Sequence, residues 1–178
     1  FFQSCALSSF SGLSVAVRNA TLLDRSRCVS EMPAYAQPAS GGAWKPYPHL
    51  EQLSRAIVAT VQGRDGVRRL LIGFPPQHGK SELTSKYTPA WFLNLWPDKR
   101  VILASYQAEF AASWGRKARD VYAETPEITG NAVSKSLKRA EWWGIEGHQG
   151  SMATAGAGGS ITGKGADLFF IDDPFANA

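Results

Sequence analysis

Leu70-Leu71-Ile72-Gly73-Phe74-Pro75-Pro76-Gln77-His78-Gly79-Lys80-Ser81-Glu82-Leu83 decides how this chain is read. Arg69 to Phe74 is an apolar run of strand length, rich enough in Leu and Ile for a buried parallel strand. Pro75 and Pro76 end it, because proline cannot donate to a sheet ladder. Gly79-Lys80-Ser81 follows, and a helical pattern begins after it. Strand, tight loop, Gly-Lys-Ser and helix make up the layout of a phosphate-binding P-loop. In that layout backbone N–H groups of the loop and the helix N-terminus surround a polyphosphate. Gly79 lets the backbone approach closely, Lys80 reaches the β- and γ-phosphates, and the Ser81 hydroxyl binds magnesium. One position departs from the usual spacing: the first glycine of G-x-x-x-x-G-K-S would fall at Phe74, and Gly73 comes one residue too early.

Upstream, residues 1–43 are rich in Ser, Ala and Gly and hold no apolar period. Irregular structure is expected there, with one short helix near Val15–Leu23. Trp44-Lys45-Pro46-Tyr47-Pro48-His49-Leu50 is a rigid, partly extended lead-in to a helix from about His49 to Gln62. Leu50, Leu53, Ile57, Val58 and Val61 set its stripe and Gly63 caps it. Arg64-Asp65-Gly66 is a turn. Downstream of Ser81 the helix should reach Leu95, kinked or shortened by Pro89. Arg100–Ser105 reads as a second apolar strand, and Tyr106 to Glu124 as a long helix with Phe110, Trp114, Ala118 and Val121 on its stripe. The β-α-β-α order predicts an α/β fold with a parallel sheet and helices packed on its faces.

Short pieces follow. Ala132–Leu137 and Ala140–Gly144 read as a pair of strands and Gly150–Thr154 as another. Ala155–Gly165 holds five glycines among eleven residues and is expected to be a loop. Ala166-Asp167-Leu168-Phe169-Phe170-Ile171-Asp172-Asp173 then reads as a buried strand delivering two carboxylates at its C-terminal end. Such a placement is costly unless a cation or proton needs the carboxylates, and a P-loop supplies that need. An apolar strand ending in two acids is the Walker B layout. Asp172 is assigned to the metal and Asp173 to the base that orients and deprotonates the attacking water. Asp173 stands where many such ATPases carry the longer Glu.

The 178 residues suit one domain with a proper core, and a net charge of +4 is compatible with a nucleic-acid partner. Cys5 and Cys28 sit in no metal-ligand or CxxC spacing, so a reducing intracellular setting is the default. No run approaches the roughly 18 apolar residues of a membrane-crossing helix. Phe1–Val17 lacks the basic start of a signal peptide. The chain has no initiating Met and stops just after Asp172-Asp173, which suggests an excised piece. His78 and His148 lack a second ligand at metal spacing.

Trp44 to Phe175 resembles the ATPase domain of the large terminase subunit of tailed bacteriophages, the motor that packages DNA into an empty capsid. Four stretches carry the resemblance: Tyr47-Pro48-His49, Arg-Leu-Leu-Ile before Pro-Pro-Gln-His-Gly-Lys-Ser, Leu-Ala-Ser-Tyr at Leu103–Tyr106, and Gly-Gly-Ser-Ile-Thr-Gly-Lys-Gly-Ala-Asp ahead of Asp-Asp-Pro. It implies a P-loop NTPase three-layer sandwich, with a mostly parallel sheet and helices on both faces, over residues 44–178. It implies ATP and Mg2+ as cofactors, with Pro76, Gln77, His78, Gly79, Lys80, Ser81 and Glu82 around the phosphates. Tyr47 and His49 match the adenine-side segment, though a proline-rich lead-in merely packed on the domain explains them equally. Ser105 and Tyr106 would face the ligand crevice. Arg116 and Arg119 would lend charge to the γ-phosphate of their own or a neighbouring subunit, unless they form a solvated helix face. The Gly156–Gly165 loop with Lys164 could meet DNA or nucleotide. Relatives often have Arg where this chain has Gln77. The family's downstream coupling motif and metal-dependent nuclease domain are absent from these 178 residues, so no nuclease activity is expected of them.

The resemblance also implies double-stranded DNA, self-association into a ring, a small terminase subunit and a portal protein as partners, with no membrane. The setting would be the bacterial host cytoplasm and the procapsid vertex. A helicase-like or other nucleic-acid-dependent ATPase is the alternative on the same fold, since a P-loop does not fix the substrate. A nucleotide-binding regulatory module and a recombined reading frame are further alternatives.

Overall fold

The computed structural model describes residues 31–156, 158, 159 and 165–175. The helix expected near Val15–Leu23 and the loop residue Lys164 lie outside them. The first described element is helix α1 (Met32–Ala39), where irregular chain was expected. Its two prolines do not forbid it. Pro33 occupies the first turn, where no intrahelical donor is needed, and Pro38 falls in the last turn. Met32, Tyr35 and Ala36 are fully buried, so tertiary packing rather than local pattern holds this helix. Helix α2 (Pro48–Val61) follows close to its expected bounds, burying Leu50, Leu53, Ile57 and Val58. Gly63 ends it in the left-handed region, at φ 63°.

After the Gly-Lys-Ser turn the chain forms a π-helical segment (Glu82–Tyr87) that runs directly into α3 (Thr88–Leu95). Pro89 supplies the reason. An α-helical register would ask its missing N–H to bond the carbonyl of Ser85 and would push its ring into that carbonyl. The chain widens instead: the Thr88 backbone N–H donates to Leu83 O, five residues back, and the Thr88 hydroxyl bonds the same carbonyl at 2.8 Å.

Strand β1 (Arg100–Ser105) leads to α4 (Ala108–Glu124), a short helix α5 (Pro126–Thr129), and strands β2 (Val133–Lys138), β3 (Trp142–Ile145), β4 (Ser151–Gly156) and β5 (Leu168–Ile171). The buried stripe of α4 is Ala111, Gly115, Ala118 and Tyr122, with Phe110 and Trp114 displaced to its half-buried flank. Small residues let this helix lie close on the sheet. The Gly115 carbonyl accepts the indole N–H of Trp143 at 3.1 Å, and a Cβ there would sit 2.5 Å from the Ala140 carbonyl oxygen.

The fold is α/β, with a five-stranded sheet in the order β2-β3-β4-β1-β5. It is mixed, which corrects the expectation of a mostly parallel sheet. β1 pairs parallel with β4 and β5, whereas β2–β3 and β3–β4 are antiparallel. The short connections between β2, β3 and β4 leave no room for crossover helices, so those strands meander. Val101, Leu103, Trp143 and Met152 join the helices in one buried cluster. The opposite face carries Ile102, Ala153, Phe169 and Ile171, which lie outside that cluster. Among the described residues the helices therefore cover one face, and a three-layer sandwich is not confirmed. β5 is a half-buried edge strand rather than the buried one expected, with Phe169 50% and Ile171 61% exposed.

The largest departure concerns residues 69–74. They form no strand. The segment alternates as an extended chain should, Ile72 and Phe74 packing on the core while Leu71 is 98% exposed. A strand also needs a ladder partner, and none of the five described strands pairs with this segment. No helix among the described residues is long and apolar enough to cross a membrane.

Candidate phosphate-binding site

β1 and β5 run parallel, and their C-terminal ends lie side by side. There the Tyr106 N–H donates to the Asp173 carbonyl at 3.1 Å, and the Ser105 hydroxyl reaches the same oxygen at 3.4 Å. Ser105 and Tyr106 are therefore at the crevice end of the sheet, where ligands of open α/β sheets bind. These bonds hold the backbone of Asp173, which adopts φ 46°. That left-handed conformation costs a non-glycine residue strain, and Asp tolerates it better than most.

Lys80 approaches from the phosphate-loop side. Its Nζ lies 3.3 Å from Asp172 Oδ1 and 3.2 Å from Asp173 Oδ1, so motifs 93 residues apart in sequence meet at one ammonium group. Asp172 is buried, and its second oxygen accepts a hydrogen bond from Ser85 Oγ at 2.8 Å. Asp173 is more than half exposed. Burial alone would push the Lys80 ammonium down. The charges and hydrogen bonds of the two aspartates outweigh it and hold the pKa above the ordinary lysine value.

The loop takes left-handed backbone at two positions. Gly79 sits at φ 78°, and a Cβ there would meet a Leu50 methyl at 3.3 Å as well as the wrong backbone region. Gln77 also takes a left-handed conformation, at φ 62°. His78 bonds the Pro76 carbonyl through Nδ1 at 2.7 Å, which tightens the turn. His49, at the start of α2, lies against this loop with Tyr47 stacked on it. Their rings stack at 5.9 Å and 5°, and His49 meets Phe74 and His78 with ring centroids 5.8 and 6.1 Å apart. Pro76, Gln77 and His78 are exposed, so the loop is open to a ligand.

Not every expected residue arrives. Ser81 is helical, at φ −65°, but the hydroxyl that reaches Asp172 is that of Ser85. Glu82 pairs with Lys86 at 3.1 Å and lines a cavity with Trp44 and Lys117, away from the aspartates. Arg116 is exposed eight residues into α4, about 12 Å along the helix from its start. The Arg119 guanidinium is engaged with Asp120 and the Lys138 carbonyl beside β2. Neither arginine is in contact with Lys80 or its partners. Sequence reading missed Ser85 and Phe74. Pro89 is the signal that could have found Ser85, because a proline at the second residue of α3 forces the register change in the turn before it.

Among the described residues no three His, Cys, Asp or Glu side chains converge on a metal-sized site. Magnesium needs no such cage. It commonly takes one or two carboxylates and completes its shell with water and substrate phosphates. Hard oxygen donors at Asp172 and Asp173, a hydroxyl beside them and a lysine at the loop match that requirement.

A family model described as "Terminase large subunit, T4likevirus-type, N-terminal" matches residues 71–178, more than half of the chain. No curated protein and no solved structure shows a significant match.

Proposed function

From the premise that this chain belongs to the terminase large-subunit family, a family with a role in DNA packaging, we propose that it binds and hydrolyses Mg-ATP to drive double-stranded DNA into a viral capsid. One observation carries the catalytic part: the Lys80 ammonium lies within 3.3 Å of both Asp172 and Asp173. A P-loop lysine and two strand-end carboxylates have little reason to share a crevice unless a polyphosphate and its metal separate them during function.

The roles follow from the charges. Lys80 leaves the aspartates for the β- and γ-phosphate oxygens, and the loop N–H groups from Gln77 to Ser81 surround the same anion. Ser81 and Asp172 would hold a magnesium ion, whose chemistry there would be neutralisation of charge on the phosphate oxygens. Asp173, exposed and oriented by Ser105 and Tyr106, takes a proton from the attacking water. Tyr47 and His49 offer a stacking surface for the base beside the loop. The net charge of +4 suits non-specific contacts to a DNA backbone. A ring of subunits, a small terminase subunit, a portal protein and a position at the procapsid vertex complete the reading. Arg116, exposed on α4, is available to a neighbouring subunit as a source of positive charge.

The test is nucleotide binding by the chain itself. Mg-ATP should raise its melting temperature, because ligand that binds only the native state stabilises it by mass action. Lys80→Ala should abolish the rise. A rise that survives in the variant would refute the site.

A further inference from the structure

We infer that Ser85 is a positioning residue that fixes the Asp172 carboxylate for a magnesium ion, and that the π-helical segment exists in this chain to aim it. This inference rests on the function proposed above.

Ser85 is completely buried and Asp172 nearly so. A buried carboxylate needs its oxygens satisfied. Oδ1 faces Lys80 at 3.3 Å, and Oδ2 accepts from Ser85 Oγ at 2.8 Å. When Lys80 turns to phosphate, Oδ1 becomes available to a cation and the Ser85 bond remains to hold the group. The neighbouring Thr84 hydroxyl is committed to the Lys80 carbonyl at 3.0 Å and lies 3.4 Å from Ser85 Oγ, so it does not compete for Asp172.

Register explains why Ser85 can do this. In an α-helix the residues above Lys80, one turn on, are Leu83 and Thr84. Ser85 instead lies inside the π-helical segment Glu82–Tyr87, whose wider five-residue turns change the direction in which its side chains project. The sequence therefore places Pro89, the widened turn and a serine facing Asp172 in one causal line. Outer partners of metal ligands commonly alter metal affinity by about 10- to 100-fold when removed.

The experiment titrates Mg2+ against ATP binding by the whole chain, following heat of binding, with a parallel series in EDTA. For Ser85→Ala the half-saturating Mg2+ concentration should rise about tenfold, while ATP affinity in EDTA stays at the parent value. Ser85→Thr, which keeps the hydroxyl, should remain near the parent curve. If Ser85→Ala melts below the assay temperature, Ser85→Cys, a weak donor of similar size, takes its place with the same expectation. Superimposable Mg2+ curves, an equal loss in EDTA, or a Ser85→Thr variant as impaired as Ser85→Ala would each overturn the inference. Absence of any ATP binding by the parent chain would instead overturn the site reading from which it starts.

Discussion

Replacing Lys80 by Ala should destabilise this protein before any nucleotide is added. Two limits bracket the size of the effect. Removing one partner of a buried ion pair costs about 3–5 kcal/mol, because the other charge is left buried and alone. An exposed pair contributes about 0–1 kcal/mol. The cluster lies between these limits: the side chains of Asp172, Lys80 and Asp173 are 6%, 24% and 54% exposed. Asp173 can turn to water once Lys80 is gone, so it adds little. Asp172 cannot, though Ser85 still satisfies one of its oxygens. A loss of about 1–2 kcal/mol is the resulting expectation. For a chain of this length each kcal/mol moves the melting temperature by about 2–4 °C, so Lys80→Ala should melt about 2–8 °C lower. The assay is thermal unfolding at neutral pH without nucleotide, for the parent, Lys80→Ala, Asp172→Asn and the double variant. A neutral amide at position 172 no longer needs the cation, so the double variant should be more stable than the sum of the single losses predicts. An unchanged melting temperature in Lys80→Ala, or strict additivity in the cycle, would refute the ion-pair account.

Two further outcomes are expected. Asp173→Asn should keep ATP binding while turnover falls on the order of a hundredfold or more, since a positioned base is worth that much. Asn accepts the left-handed backbone at 173 as readily as Asp does, so steady-state turnover of this variant isolates the charge, and turnover equal to the parent's would move the base elsewhere. Burial pushes the Tyr122 hydroxyl up to about 12. The unfolded chain ionises this phenol near pH 10, so the stability tied to its neutral form is present below about pH 10 and is lost as pH rises toward the folded value, by about 3 kcal/mol. Alkaline unfolding should be shallower in Tyr122→Phe, and an identical pH profile would show that the ring ionises freely in the folded state.

What the sequence disclosed and what it hid divide along a physical line. Helix α2, strand β1 and helix α4 were legible because periodicity, a capping glycine and an apolar run are local signals. Gly79-Lys80-Ser81 and Asp172-Asp173 were legible for the same reason, and the structure brings them together through Lys80. Residues 69–74 were misread as a paired strand because pairing belongs to the neighbour, not to the segment. The alternation of Ile72 and Phe74 with exposed Leu71 records extended chain and nothing about a ladder. Helix α1 was missed for the converse reason: its prolines argue against it locally, while full burial of Tyr35 and Ala36 sustains it. Ser85 was invisible because its role depends on a register that only Pro89 betrays.

The backbone adds an argument that composition could not. Three non-glycine residues have positive φ among the described residues: Asp65, Gln77 and Asp173. Asp65 sits in an exposed turn, where such a conformation is common for Asp. Of the other two, Gln77 lies in the loop ahead of Lys80 and Asp173 just beyond the end of β5. Strain of this kind costs about 1–3 kcal/mol per residue and persists only where surrounding bonds hold it in place. Asp173 is held by Ser105 and Tyr106 through its carbonyl, so its backbone cannot leave the left-handed region without breaking those bonds. Gln77 is held between Pro76 and His78, themselves joined by a 2.7 Å bond. A chain selected only to fold would place glycine at both positions. Asp at 173 instead keeps a carboxylate 3.2 Å from the Lys80 ammonium at that cost in backbone strain.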